Sequence, residues 1–316
     1  MGNGMAANVD LTASQYSAAC FTSMEDALFS LFGDGVRIAR TRRIAGGDIN
    51  KARELELTDG TRLFMKSNTK SNAPFFAAEA VGLEAIARTG TIGTPHIFCS
   101  GMDGKGEGYS FLLLEFLEGK RRIDNYWETF ARQLAAMHRA SAAELVAGGT
   151  YGFICDNYIG SGRQVNTAGD SWITFFRNCR LEPQFRKAEG YFDKAERKKI
   201  SWLLEHLEYF LAEPVRASLL HGDLWSGNVM TGNDGKVWLI DPAVYVGHAE
   251  ADIAMTELFG GFPQSFYDAY REAAPMQAGY ERRRDLYNLY HLLNHLNLFG
   301  ETYLAGVKRV LGKYMK

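Results

Sequence analysis

Two hydrophobic rhythms divide the chain. From residue 36 to about residue 117, apolar and polar side chains alternate in short runs. Arg37 to Ile44, Ala52 to Leu57, Thr61 to Lys66, Thr94 to Phe98 and Tyr109 to Leu114 each read as a strand. Asp59-Gly60 is a tight hairpin turn between the second and third. Helical spacing interrupts this rhythm once, where Phe76, Ala80, Leu83 and Ala87 share one face of a helix predicted over residues 74–88. Another helix is predicted over residues 11–32, with Ala18, Phe21, Met24, Leu28 and Leu31 on its apolar side and Gly33-Asp34-Gly35 as its stop. After residue 118 the helical period takes over. Trp127, Phe130, Leu134 and Met137 mark one helix. Asp170 is the expected N-cap of a second. A third runs from Ile200 to Leu211 and stops at Pro214. Further helices pass through Met255 and Phe259, cover Phe266 to Ala273, and form a tail from Tyr280 to Tyr314 broken near Gly300. The expected architecture is therefore α+β. It has an N-terminal extension and helix (1–33), a small antiparallel-sheet lobe with one key helix (34–117) and a larger, mostly helical lobe (118–316).

One stretch in the second lobe fits neither rhythm. Apolar Ser218-Leu219-Leu220 leads into His221-Gly222-Asp223-Leu224-Trp225-Ser226-Gly227-Asn228. The apolar run Val237 to Ile240 then delivers Asp241. Read blandly, these glycines and polar residues are turn formers. The spacing Asp, Asn five residues on, and a second Asp thirteen further is also the layout of a kinase catalytic loop. There one Asp deprotonates the acceptor hydroxyl, and the Asn and second Asp hold Mg²⁺ on the nucleotide phosphates. Phosphoryl transfer is catalysed mainly by positioning and charge neutralisation, so few residues suffice. On this reading Asp223 is the base, and Asn228 and Asp241 are the metal ligands.

The first lobe supplies matching parts. Gly46, Gly47, Asp48, Ile49 and Asn50 form the turn between the first two strands, where a glycine backbone can approach phosphate. Lys66 ends the third strand, and a Lys there can reach the nucleotide phosphates. Glu79 on the following helix is the expected carboxylate partner of Lys66, with Glu84 as the competitor. Glu115, Phe116 and Leu117 follow the last strand, where backbone groups of a bilobal kinase would hold adenine. The glycine-rich segment 101–108 joins two strands and leads into no helix, so it reads as a hairpin tip.

This constellation resembles the fructosamine-3-kinase/ketosamine-3-kinase family, within the aminoglycoside-phosphotransferase and choline-kinase-like group, from about residue 12 onward. Lys66, the His-Gly-Asp at 221–223, Asn228 and Asp241 are shared with that wider group. More specific are the whole segment 221–228, Gly247-His248-Ala249-Glu250-Ala251-Asp252, Phe75 to Leu83, Asp170-Ser171-Trp172 and Leu289 to Asn297. The resemblance implies a bilobal protein-kinase-like fold. It also implies ATP- and Mg²⁺-dependent phosphorylation of the 3-hydroxyl of a ketosamine, after which the adduct falls apart and frees the amine. Some relatives carry Cys where this chain has Asp48, so a disulfide through that loop is not available here. An aminoglycoside or choline-like acceptor is the first alternative. A non-catalytic nucleotide-binding protein is the second, although all four core residues are present.

Composition narrows the partners. Of 316 residues 46% are hydrophobic and 23% charged, with a net charge of −2, so no global basic field points to nucleic acid or an anionic membrane. No apolar run approaches the roughly 20 residues that span a bilayer. Cys20, Cys99, Cys155 and Cys179 show no CxxC pairing and suggest a reducing, cytoplasmic setting. Met5 is a candidate start. Trp225 is either loop packing or a wall of the sugar pocket. His291 and His295, one helical turn apart, are further acceptor-site candidates. His248, Glu250 and Asp252 are read as a structural network under the catalytic loop, with a place in the acceptor site as the alternative, and Arg282-Arg283-Arg284 as a solvated helix face. The acceptor could be free or protein-bound, and both monomer and homodimer remain open.

Overall fold

A computed structural model describes residues 18–45 and 50–314. Contacts divide the chain into two compact units. One runs to Tyr126 and takes in Met230–Asp241; the other is Trp127–Val229 together with the chain from Pro242. The segment 230–241, expected within the second lobe, thus packs with the first unit.

The first unit is built on a six-stranded sheet: β1 (Cys20–Phe21), β2 (Ile38–Ile44), β3 (Lys51–Leu57), β4 (Arg62–Asn68), β5 (Ile97–Asp103) and β6 (Tyr109–Glu115). Their spatial order is β1-β5-β6-β4-β3-β2. β1 joins β5 in parallel; the other pairs are antiparallel. Side chains alternate across the sheet, so each face gains its own core. On one face Met24, Ala27 and Leu28 of α1 (Met24–Phe32) cover Leu55, Leu57, Leu63, Met65, Phe111 and Leu113. On the other, Phe76, Ala80 and Leu83 of α2 (Ala73–Arg88) cover Leu112 and Leu114.

The N-terminal helix is shorter than expected. Its residues 11–17 lie outside the described part of the chain, and Cys20 and Phe21 form a strand. Ser23 then caps α1, its side chain accepting from Asp26 N. The stop at Gly33 is as expected. Helical spacing at Ala18 and Phe21 misled because a short strand on a sheet edge leaves little periodic trace.

The second unit is largely helical. It contains α3 (Tyr126–Arg139, its first residue belonging to the first unit), the hairpin β7 (Asn157–Ile159) and β8 (Gly162–Gln164), and α4 (Trp172–Phe176). A π-helical turn, Arg177–Leu181, then leads into α5 (Glu182–Lys187) and α6 (Lys194–Glu205). The N-cap of α4 is Ser171, which accepts from Thr174 N; Asp170 instead accepts from the Thr150 hydroxyl. β9 (Ser218–Leu220) leads to the segment 221–228, and β10 (Val229–Thr231) pairs with β11 (Val237–Leu239). β12 (Tyr245–Gly247) pairs back on β9, and α7 (Glu250–Leu258), α8 (Gln264–Ala273), α9 (Tyr280–Phe299) and α10 (Leu304–Tyr314) follow. The triple arginine is not a solvated face. Arg283 is buried and makes a two-pronged ion pair with buried Glu250, at 2.7 Å for each contact. Arg284 binds Glu257 at 2.9 Å, and only Arg282 is exposed. All four cysteines are free thiols, of which Cys20 is exposed. Burial pushes Cys99 up to about 12 and Cys155 up to about 11, and raises Cys179.

Candidate active site

In the first unit the strand register decides where Lys66 points. Lys66 pairs with Leu112, whose side chain belongs to the α2 core, so Lys66 also projects toward α2. There its ammonium meets Glu79 at 2.6 Å and a carboxylate oxygen of Asp241. Glu84 is tied to Arg88 on the helix surface and plays no part. Burial opposes the charge on Lys66, yet the two carboxylates hold its pKa above the usual lysine range. Burial pushes Glu79 up to about 7, against the pull of Lys66.

Asp241 itself has φ of +51°, one of two non-glycine residues in the left-handed region among the described residues. Its strand is fixed just before it. The Trp238 ring packs against Gly93 and Gly232, where a Cβ on either glycine would overlap the indole, and Trp238 Nε1 donates to Asp234 at 3.0 Å. In the same unit Asn233 clamps the segment after β6: its amide donates to Glu115 Oε1 at 2.9 Å and its oxygen accepts from Glu118 N at 3.2 Å. Phe116 lies under the Arg62 guanidinium, and Leu117 is buried. Asn50 accepts a bond from Asn68 at 2.8 Å. Gly46, Gly47, Asp48 and Ile49 lie outside the described residues.

In the second unit the segment 221–228 hangs from one buried carboxylate. Asp252, in the first turn of α7, accepts from His221 N at 2.7 Å and Gly222 N at 2.9 Å. It also faces His138 Nε2 at 3.2 Å. Since Asp252 only accepts, Nε2 carries a proton, while Nδ1 lies 2.7 Å from the Tyr270 hydroxyl. Burial works to raise the Asp252 pKa, but His138 and the loop amides outweigh it and hold the carboxyl below its usual range. Gly222 sits at φ +81°, and a Cβ there would run into Ala243 O, so this turn admits glycine alone. Asp223 and Asn228 come together: Asn228 Nδ2 donates to the Asp223 backbone O at 2.8 Å and to Oδ2 at 3.1 Å. With its nitrogen so engaged, Asn228 turns its side-chain oxygen elsewhere, a hard donor of the kind Mg²⁺ takes.

Of the acceptor candidates, Trp225 and His295 share one aromatic row. The Trp225 ring is 6.5 Å from Phe259, which is 4.8 Å from His295. Trp225 is 38% exposed. His291 is buried behind this row, and burial drives its pKa down to about 3. Phe259, Asn233 and His138 were not singled out from sequence. Asn233 sits in a turn-like Asn-Asp-Gly, and a long-range partner leaves no mark on local pattern.

The family model described as fructosamine kinase matches residues 20–316. The chain belongs to the fructosamine kinase family. A probable ketoamine kinase of Synechocystis is 40% identical over 290 residues, covering 90% of this chain and 93% of that one. The chloroplastic protein-ribulosamine 3-kinase of Arabidopsis thaliana is 38% identical, with 90% and 85% covered. Among solved structures, a candidate fructosamine-3-kinase of Haemophilus somnus superposes with a TM-score of 0.80 at 28% identity, covering 93% of this chain and 97% of that one. An aminoglycoside phosphotransferase superposes at 0.56 with 15% identity, which speaks for the fold alone. The enzyme is a phosphotransferase of protein-kinase-like fold, and among the described residues no helix is long and apolar enough to cross a membrane.

Proposed function

We propose that this family member transfers the terminal phosphoryl group of ATP to the 3-hydroxyl of a ketosamine, a sugar–amine adduct left by glycation. The observation that carries the reading is the joint presence of two built clusters: Lys66 with Glu79 and Asp241, and Asp223 with Asn228. Relatives named as ketoamine and ribulosamine kinases support the acceptor class.

Glu79 holds Lys66 extended so that its ammonium can meet nucleotide phosphate. Asn233 fixes the segment Glu115, Phe116 and Leu117 for adenine, and Asn50 belongs to the phosphate turn. Asp241 and the side-chain oxygen of Asn228 would hold Mg²⁺; both are hard oxygen donors, and Asp241 is 46% exposed. Mg²⁺, when bound, neutralises phosphate charge. Asp223, oriented by Asn228, accepts the proton of the acceptor hydroxyl. Trp225 offers an aromatic face to the sugar, with His295 further along the same row. His291 does not reach that row and serves as packing. Four free thiols fit a reducing cytoplasm, and the role in deglycation rests on the proposed ketosamine product alone.

The test is turnover with Mg-ATP on a fructosamine and a ribulosamine, beside choline and an aminoglycoside. Phosphate is expected on a ketosamine, and turnover on choline or the aminoglycoside alone would overturn the acceptor class. In Asp223→Asn, kcat should fall by roughly a hundredfold or more while ATP affinity stays within about twofold.

A further inference from the structure

Arg180 is a fully buried cation. Its partners include two backbone carbonyls, an amide oxygen and three aromatic rings, none of them a carboxylate. Nη1 donates to Val165 O at 2.6 Å and Cys179 O at 2.9 Å, and Nη2 to Asn166 Oδ1 at 2.7 Å. The guanidinium lies 3.9 Å from the Tyr245 ring centre, 4.8 Å from Phe175 and 5.6 Å from Tyr290. Nε is buried with no hydrogen-bond partner. Burying a charge this way is costly, and a neutral residue would fill the space more cheaply. The π-helical turn that carries Arg180 is itself a form that recurs at functional sites.

What the charge does follows from donor chemistry. A guanidinium only donates, so Asn166 must receive it at Oδ1 and turn Nδ2 outward. Asn166 Nδ2 donates to Asn157 Oδ1 at 3.0 Å. Asn157 Nδ2 must then donate, and it reaches Val244 O at 2.7 Å. Gln164, the cross-strand partner of Asn157, donates through Nε2 to Asn157 Oδ1 at 2.8 Å and to Ala243 O at 3.0 Å. Its oxygen accepts from the Tyr290 hydroxyl at 2.6 Å. A run of side-chain amides has two opposite polarities. The donor-only guanidinium at one end and the acceptor-only carbonyls of residues 243 and 244 at the other select one of them, together with Cys155 O, which also accepts from Asn166 Nδ2 at 3.0 Å. Those carbonyls matter because residue 243 touches the catalytic segment twice: Ala243 N donates to His221 O at 2.9 Å, and Ala243 O fills the space beside Gly222. Tyr245, under the Arg180 guanidinium, closes the other side of Gly222.

We propose that Arg180 is a positioning residue for phosphoryl transfer: it polarises a single amide relay, Asn166–Asn157–Gln164, that pins residues 243 and 244 and thereby sets the height of Gly222 and Asp223. The inference rests on Asp223 being the base, as read above.

The test compares Arg180→Met, Arg180→Lys and Tyr290→Phe with the wild-type enzyme for kcat, KM, ATP binding and hydrogen exchange at residues 220–224. In Arg180→Met, kcat should fall by about a hundredfold with ATP affinity held within about twofold, since a small misplacement of a base is this costly. Arg180→Lys, which keeps the charge and a donor, should recover part of that loss. Tyr290→Phe removes one link at the far end of the relay and should lower kcat severalfold. A folded Arg180→Met with wild-type kcat, its stability alone reduced, overturns the inference. If Arg180→Met does not fold, unchanged kcat in Tyr290→Phe overturns it. Hydrogen exchange needs no acceptor: faster exchange at 220–224 is expected in Tyr290→Phe and in any folded Arg180 variant. Unchanged exchange would sink the relay even where wild-type turnover on ketosamines succeeds, and faster exchange would sustain it where that turnover fails.

Discussion

At the scale of single residues, burial decides which histidines can respond to pH. His291 is held neutral, its pKa pushed down to about 3 against an ordinary value of 6.5. Between those values the unfolded chain binds a proton that the folded chain refuses, so stability is full above pH 6.5 and declines as pH falls toward 3. The decline from this one group is at most about 1.4 kcal/mol per pH unit. His291→Phe should therefore flatten the plot of urea midpoint against pH below 6.5, while the wild-type protein loses stability more steeply. A variant with the wild-type slope would mean that His291 titrates normally. The sequence showed the His291/His295 spacing but not which of the two is enclosed. That depends on the turn of α9 against α7. Lys66 and Glu79 were legible because their order along the chain is the order of a strand and the helix after it. Arg180 carried no such signal, since its partners are spread over residues 165 and 166, Phe175 of α4, Tyr245 of β12 and Tyr290 of α9.

At the scale of elements, α7 acts as a bracket. Its first turn brings Glu250 to Arg283 of α9 and Asp252 to the catalytic segment. The helix N-terminus favours both carboxylates by its dipole, and the loop amides give Asp252 two further donors. In Asp252→Asn the new amide nitrogen has to face an N–H or His138, and a buried acceptor is lost. That should cost about 3 kcal/mol in chemical denaturation and lower kcat more than tenfold. A stable, fully active variant would remove Asp252 from its anchoring role. Helix boundaries were largely readable from periodicity, including the stop at Gly300. Burial of Arg283 was not: three arginines in a row look alike until a carboxylate two helices away selects the middle one.

At the scale of the whole molecule, the two compact units each carry part of the proposed machinery, and the chain passes between them at Tyr126, Val229 and Asp241. A ligand that binds only the folded protein stabilises it by RT ln(1 + L/Kd), with L the free ligand concentration, and so raises its melting temperature. Mg-ATP should raise Tm by several degrees, and EDTA should abolish most of that rise while leaving the ligand-free Tm unchanged. An ATP-induced shift indifferent to EDTA would argue against Asp241 and Asn228 as metal ligands. The sequence carried the two-part plan because strand and helix rhythms change near residue 118. It could not show that residues 230–241 return to the first unit, because that return is a matter of tertiary packing. The state of the thiols has a consequence for survival. Sugar adducts that break down release reactive carbonyls, and thiolate is the form of cysteine such electrophiles attack. A thiol raised to about 11 is ionised at neutral pH in only about one molecule in ten thousand. Burial favours the protonated form of Cys99, Cys155 and Cys179, so by-products of the proposed reaction would meet Cys20 first, the exposed thiol at the edge strand of the sheet.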